Sequence, residues 1–177
     1  MMKFETIFIS LIITTMTTFE SRSQQIKVVQ NIDLERYIGK WYEIASLSGR
    51  FQKGCQCTTA EYDLLVGKTY LSVKNRCFRK GKWSEITGKA FFNSASKEGK
   101  LKVQFFWPFR ADYFIIDLPY DYSWAVVATP GFRYVWILSR KPKLDKNIYQ
   151  DLLNRLKQKG FDTDLLLLTP QDCATAD

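Results

Sequence analysis

The 177-residue chain has no histidine. That absence removes the commonest general base at neutral pH and the commonest nitrogen ligand of metals. No metal site and no cofactor are expected. No zinc, helix-turn-helix or RNP-type pattern accompanies the basic residues, which are scattered, so nucleic acid is not the expected partner. Long hydrophobic runs are lacking too. Ile7 to Phe19 is apolar or Thr-rich and free of charge, but too short to span a bilayer comfortably.

That run has the marks of a leader. Lys3 precedes it, and Ser21-Arg22-Ser23 offers small residues at the two positions a signal peptidase reads. Glu5 departs from the basic pattern of such leaders, and a retained anchor helix is the alternative. The expectation is a signal peptide over residues 1–23 and one domain over residues 24–177, long enough for a real core. No cysteine sits at the processing point, so a secreted or periplasmic chain without a bacterial N-terminal lipid anchor is expected. All four cysteines lie in the mature part, as suits an oxidising compartment. Removing the leader takes away Lys3 and Arg22 with Glu5 and Glu20, so the net charge stays at +8 and favours anionic surfaces.

The mature part alternates apolar and polar residues over one short stretch after another. The strand opening at Gly39-Lys40-Trp41-Tyr42 is followed by runs at 57–65, 71–78, 86–93, 101–105, 113–118, 124–129 and 133–140. Gly67-Lys68, Gly81-Lys82 and a polar loop at Lys97–Lys100 separate several of them. Eight strands with short connections and no helix between them argue for an all-β, up-and-down antiparallel β-barrel. Such a barrel leaves an interior wide enough for one small ligand. Before it, Asn31 to Tyr37 reads as one helical turn capped by Asn31 or Asp33. After it, Ile148, Leu152 and Leu156 recur at helical spacing, with Asp145 at the start and Gly160 at the end. That helix is expected to pack outside the barrel, and Leu165 to Leu168 to form a short extra strand.

Gly39-Lys40-Trp41-Tyr42, with Arg140 after Trp136-Ile137-Leu138-Ser139, resembles the first and third motifs of the lipocalin family. The second motif is degraded to Pro119-Tyr120-Asp121-Tyr122. Phe105-Phe106-Trp107-Pro108-Phe109 is similar to the bacterial lipocalin and apolipoprotein D branch. Gly54-Cys55-Gln56-Cys57 and Thr169-Pro170-Gln171-Asp172-Cys173 resemble the cysteine plan of plant chloroplastic lipocalins. The resemblance implies a carrier of fatty acids, lysophospholipids, retinoids, sterols or pigments, without catalysis. It also implies that the leading helical turn plugs the closed end of the barrel. Apolipoprotein D-like proteins join a cysteine five residues before a strand tyrosine to the C-terminal tail. On Tyr62 this implies Cys57–Cys173 and leaves Cys55 to Cys77. The second bridge needs a bulge near Gly54 or an early strand end, because parity points Cys77 inward and Cys55 outward.

Parity directs Tyr62, Val73, Ala90, Phe92, Val103, Phe105, Tyr113, Ile115, Val127, Trp136 and Leu138 to the interior, as candidate ligand contacts or as packing. Gly39, Trp41 and Arg140 are expected to seal the floor, the cation lying across the indole. Gly88 and Ala90, small and inward, argue for unfilled volume. Asp117 is inward by the same parity, where a lone carboxylate is costly, so either it pairs with Arg140 or the strand ends before it.

Two other readings remain open. One lipocalin branch, similar to prostaglandin D synthase, uses a free cysteine inside the barrel as a nucleophile, and Cys77 is the candidate. Alternatively the barrel is filled and its loops do the work. The loop Phe106-Trp107-Pro108-Phe109-Arg110 is either a self-packed lid or a contact for an anionic membrane.

Overall fold

The computed structural model describes residues 25–47 and 52–173. The expected leader, residues 1–23, lies outside the described residues. The elements are α1 (Leu34–Tyr37), β1 (Gly39–Leu47), β2 (Gln56–Leu64), β3 (Tyr70–Arg79), β4 (Lys82–Phe92) and β5 (Lys100–Gln104). There follow β6 (Ala111–Asp117), β7 (Trp124–Ala128), β8 (Val135–Ser139), α2 (Lys146–Gln158) and β9 (Leu167–Leu168). Each of β1 to β8 pairs antiparallel with its sequence neighbour, and β1 pairs with β8 as well, so eight strands close into a barrel. β9 adds outside it, opposite Ala45 and Ser46. Because the strands alternate in direction, the β1–β2, β3–β4, β5–β6 and β7–β8 connections share one end. The other connections share the opposite end with α1.

Pleating splits the apolar residues between two cores. One, inside the barrel, gathers Trp41, Tyr62, Leu71, Val73, Leu101, Ile115 and Val127. The other lies between the wall and α2, where Val126, Ala128, Val135 and Ile137 meet Leu152 and Leu156. β7 serves both cores, which is why all five of its residues are buried and its sequence is continuously apolar. Asp145 caps α2 by accepting from the N–H groups of Asn147 (2.8 Å) and Ile148 (3.2 Å).

α1 lies across the closed end. Its cap is Asp33 rather than Asn31, and the Asp33 N–H donates to the Tyr122 hydroxyl at 2.9 Å. Chain leading into α1 is held by Val29, whose N–H donates to Ile115 O at 2.9 Å, and by Ile32, whose N–H donates to Lys97 O at 2.9 Å. β4 starts at Lys82, four residues earlier than the alternation suggests, because it pairs with β3 to the end of a long hairpin. β8 is shorter than expected, since Pro130–Phe132 forms a 3-10 turn before it.

Asp117 corrects the parity reading. A register shift between Ile115 and Asp117 places an extra residue in β6, and the carboxylate lands on the outer wall opposite Val126. There Asp117 meets Arg155 of α2 at 2.9 Å, not Arg140, and the strand does not end before it. Burial pushes its pKa up, and the Arg155 and Lys159 charges pull against that shift.

Candidate ligand-binding site

The floor is built on Trp41, which is fully buried and donates its indole N–H to Tyr37 O at 2.8 Å. The Arg140 guanidinium lies 3.7 Å from the centre of the Trp41 ring. The same cation donates to the backbone carbonyls of Lys40 (3.0 Å), Arg36 (2.7 Å) and Tyr37 (3.1 Å), tying α1 to the barrel. Gly39 has φ +91°, a conformation that side-chain-bearing residues rarely adopt, so the sharp entry into β1 favours glycine.

Directly above the floor is a tyrosine cluster that alternation alone does not reveal. The Tyr37 and Tyr113 hydroxyls are 2.9 Å apart, and Tyr62 packs edge-on against Tyr113 with ring centres 6.1 Å apart. Burial raises all three pKa values, that of Tyr62 to about 12, so these hydroxyls stay neutral. Tyr37 belongs to the plug, and only the folded chain brings it beside two strand residues far away in sequence.

All eleven candidate contacts stand in or against the inner core. Tyr62, Val73, Ala90, Val103, Ile115, Val127 and Leu138 are buried members, while Phe92, Phe105, Tyr113 and Trp136 are partly buried and packed on them. Gly88 does not leave the space its size suggests. Added there, a Cβ would meet the Gln104 carbonyl oxygen at 2.5 Å and the Phe105 ring at 2.7 Å, so the missing side chain makes room for that ring. A cleft of about 300 Å³ lies outside this point, lined by Thr87, Gly88, Lys89, Gln104, Phe105 and Trp107. It arises because the β4–β5 pairing starts at Lys89–Gln104, leaving the outer end of β4 without a neighbour on that side.

Towards the open end the inner face becomes polar. The Trp136 indole N–H donates to Gln52 Oε1 at 2.9 Å, and Gln52 Nε2 donates to Glu43 Oε2 at 3.1 Å. Glu43 Oε1 also accepts from Ser46 (2.9 Å) and from Thr169 of the tail (2.6 Å). Burial raises the Glu43 pKa, and these hydrogen bonds oppose the shift. Asn75 lies on the β3 face that also carries Leu71 and Val73. Its Oδ1 is shut off from solvent with no hydrogen-bond partner among the described residues. The sequence reading passed over Glu43, Gln52 and Asn75. The buried Glu43 network depends on a β-bulge between Glu43 and Ala45 and on a tail distant in sequence.

Cys57 is joined to Cys173, with Cα atoms 6.1 Å apart, and Cys55 to Cys77 at 5.5 Å. Cys55 falls before β2 begins, so the strand ends early; the bulge comes later, between Gln56 and Thr59, where Cys57 has φ +48°. Cys77 therefore carries no free thiol, and the nucleophile reading loses its group.

Comparisons with known proteins agree with this geometry. A model of the lipocalin-like domain matches residues 32–171. The outer membrane lipoprotein Blc of Vibrio cholerae is 39% identical, over 84% of this chain and 88% of that protein. Temperature-induced lipocalin-1 of Arabidopsis thaliana is 35% identical over 85% and 86%. Apolipoprotein D of Mus musculus is 31% identical over 81% and 79%. Among solved structures, insecticyanin from the tobacco hornworm Manduca sexta superposes with a TM-score of 0.68 at 24% identity, covering 85% of this chain and 86% of that one. With the Gly39–Trp41–Arg140 floor in place and relatives this similar along most of their length, the chain belongs to the lipocalin family, in the branch of the bacterial Blc proteins and apolipoprotein D.

Proposed function

We propose that the protein is an exported carrier of one small hydrophobic ligand, a lipid with a single acyl chain such as a fatty acid or lysophospholipid. The observation that carries this reading is the state of the inner face. Phe105 and Trp136 belong to the barrel core yet remain partly exposed, whereas the residues beneath them are closed off. An acyl chain covering these rings would remove apolar surface from water at about 25 cal/mol per Å². The eleven inward residues named above are the proposed binding set, with Phe92, Phe105, Tyr113 and Trp136 presenting the exposed surface and the seven buried ones backing them. Export, with residues 1–23 as leader, is part of the same proposal, as is a role in binding rather than catalysis.

Native mass spectrometry of the freshly purified protein, followed by lipid extraction, tests it. The expected result is one acyl lipid per chain, displaced by a fluorescent fatty acid. A protein that leaves purification empty and then binds neither fatty acid nor lysophospholipid overturns the reading. A retinoid or pigment in the extract redirects it to that ligand class.

A further inference from the structure

The described loops at the open end, with the strand residues Arg79 and Lys82 that border one of them, comprise residues 52–55, 79–82, 105–110 and 129–134. Within them lie Lys53, Arg79, Lys80, Lys82, Arg110 and Arg133, all exposed, and no Asp or Glu. The closed end differs in carrying both signs, for there Asp33, Glu35, Asp63, Glu98 and Asp121 are interleaved with Arg36, Lys68, Lys97, Lys141 and Lys143. The same open end holds three large apolar side chains in solvent: Phe106 is 69% exposed, Trp107 86% and Phe109 76%. They do not fold inward as a lid. The Phe109 N–H donates to Phe106 O at 2.9 Å, closing a tight turn that holds the rings outward. Arg110, next along the chain, rests its guanidinium on β4, 3.8 Å from the centre of the Phe91 ring.

Exposed aromatics at an end whose described loops carry cations and no acids match one surface chemically. Trp and Phe partition into the interfacial layer of a bilayer, and Lys and Arg are drawn to anionic headgroups. A nucleic acid duplex would use the charge but leave Phe106 and Phe109 without an apolar environment. We propose that the open end of the barrel docks on an anionic lipid bilayer, with Phe106, Trp107 and Phe109 in the interface and the rim cations against the headgroups. The cleft beside Trp107 then faces the membrane and leads to Phe105 of the inner core, a route by which lipid reaches the barrel without crossing water. That last step rests on the carrier reading, whereas docking itself does not.

Vesicle co-sedimentation of the mature chain decides it, using phosphatidylcholine vesicles with and without phosphatidylglycerol at low and high salt. The expected result is binding to the anionic vesicles that weakens in salt. It should fall at least tenfold in Trp107→Ser/Phe109→Ser and in Lys80→Glu/Lys82→Glu. Lys143→Glu/Lys146→Glu makes the same charge change just after β8, where the chain leaves the closed end, and should bind like wild type. Equal losses in the two charge variants mean that net charge alone drives association, and unchanged binding in the aromatic variant means that the loop stays out of the bilayer; either result overturns the proposal, as does wild type that ignores anionic vesicles. Fatty-acid binding in vesicle-free solution is measured on each variant and should not change. Its absence in wild type would sink the carrier reading while leaving the docking result to stand.

Discussion

Two tryptophans show how differently the ends of this barrel are made. At the closed end Trp41 has its indole N–H bonded to Tyr37 O and a guanidinium across its face, and no part of it reaches solvent. At the open end Trp107 projects from a four-residue turn with its ring in water. Trp136 stands between them, inward like Trp41, yet partly exposed and bonded to a loop glutamine. The residue type is the same in each case, and its job is set by what backs it. Backbone carbonyls and an arginine bury Trp41 completely, a hydrogen-bonded glutamine leaves Trp136 half covered, and no packing partner leaves Trp107 in solvent.

The difference between floor and wall is sharpest under substitution. Trp41→Ala should cost roughly 3–5 kcal/mol, because the cavity it leaves is walled by strands and α1 that cannot collapse. Denaturant unfolding measures this, and a loss below about 1 kcal/mol would mean that the floor is not the closure described. Next in size is the Cys57–Cys173 bridge, which spans 116 residues and anchors the tail beside Glu43. The chain-entropy model assigns about 4.7 kcal/mol to a loop of that order and about 3 kcal/mol to a far shorter one, with measured values commonly lower. Cys57→Ser/Cys173→Ser is therefore expected to destabilise more than Cys55→Ser/Cys77→Ser, whose bridge spans 22 residues. The reverse order in thermal melts would place the tail outside the cooperative unit.

Trp136→Ala should act on the ligand more than on the fold, weakening fatty-acid binding about tenfold while lowering the melting temperature less than Trp41→Ala does. Equal melting losses with unchanged affinity would turn Trp136 into plain packing. The smallest expected effect is that of pH on the network behind Trp136. Burial lifts the Glu43 pKa above its ordinary 4.5, so between that value and the raised one the folded chain holds the extra proton. Stability should then fall as pH rises through that window, and Glu43→Gln should lose this slope. Denaturant midpoints of both proteins from pH 4 to pH 8 supply the check, and parallel curves would show that Glu43 does not titrate there.

Much of the barrel was legible because period-two alternation is forced by the pleat. Any strand with one face in the core must write its apolar residues at every second position. The eleven inward residues were found that way, and α2 by its 3.6-residue spacing. Alternation fails where a bulge adds a residue. Parity sends Asp117 inward because nothing local marks the shift after Ile115. Glu43 follows Trp41 by parity, but the partners that make it a network, Gln52 and Thr169, reach it only in the folded chain. Gly88 reads as empty volume because a missing side chain does not say what fills its place; here the Phe105 ring, just after β5, does.

By itself the sequence determined the strand count, the inward set, the Trp41–Arg140 floor and the outer helix, since each follows from periodicity or from a short motif with a steric reason. Tertiary structure decided everything that joins distant segments at side-chain resolution. It set Tyr37 against Tyr113 and linked Glu43 to Thr169 and, through Gln52, to Trp136. It also turned Asp117 out to Arg155 and left Phe106, Trp107 and Phe109 exposed at the end of the barrel opposite the plug. The physical reason is that periodicity reports only which face a residue takes. A contact also needs register, bulge position and the path of the chain between, and those are settled when the sheet closes.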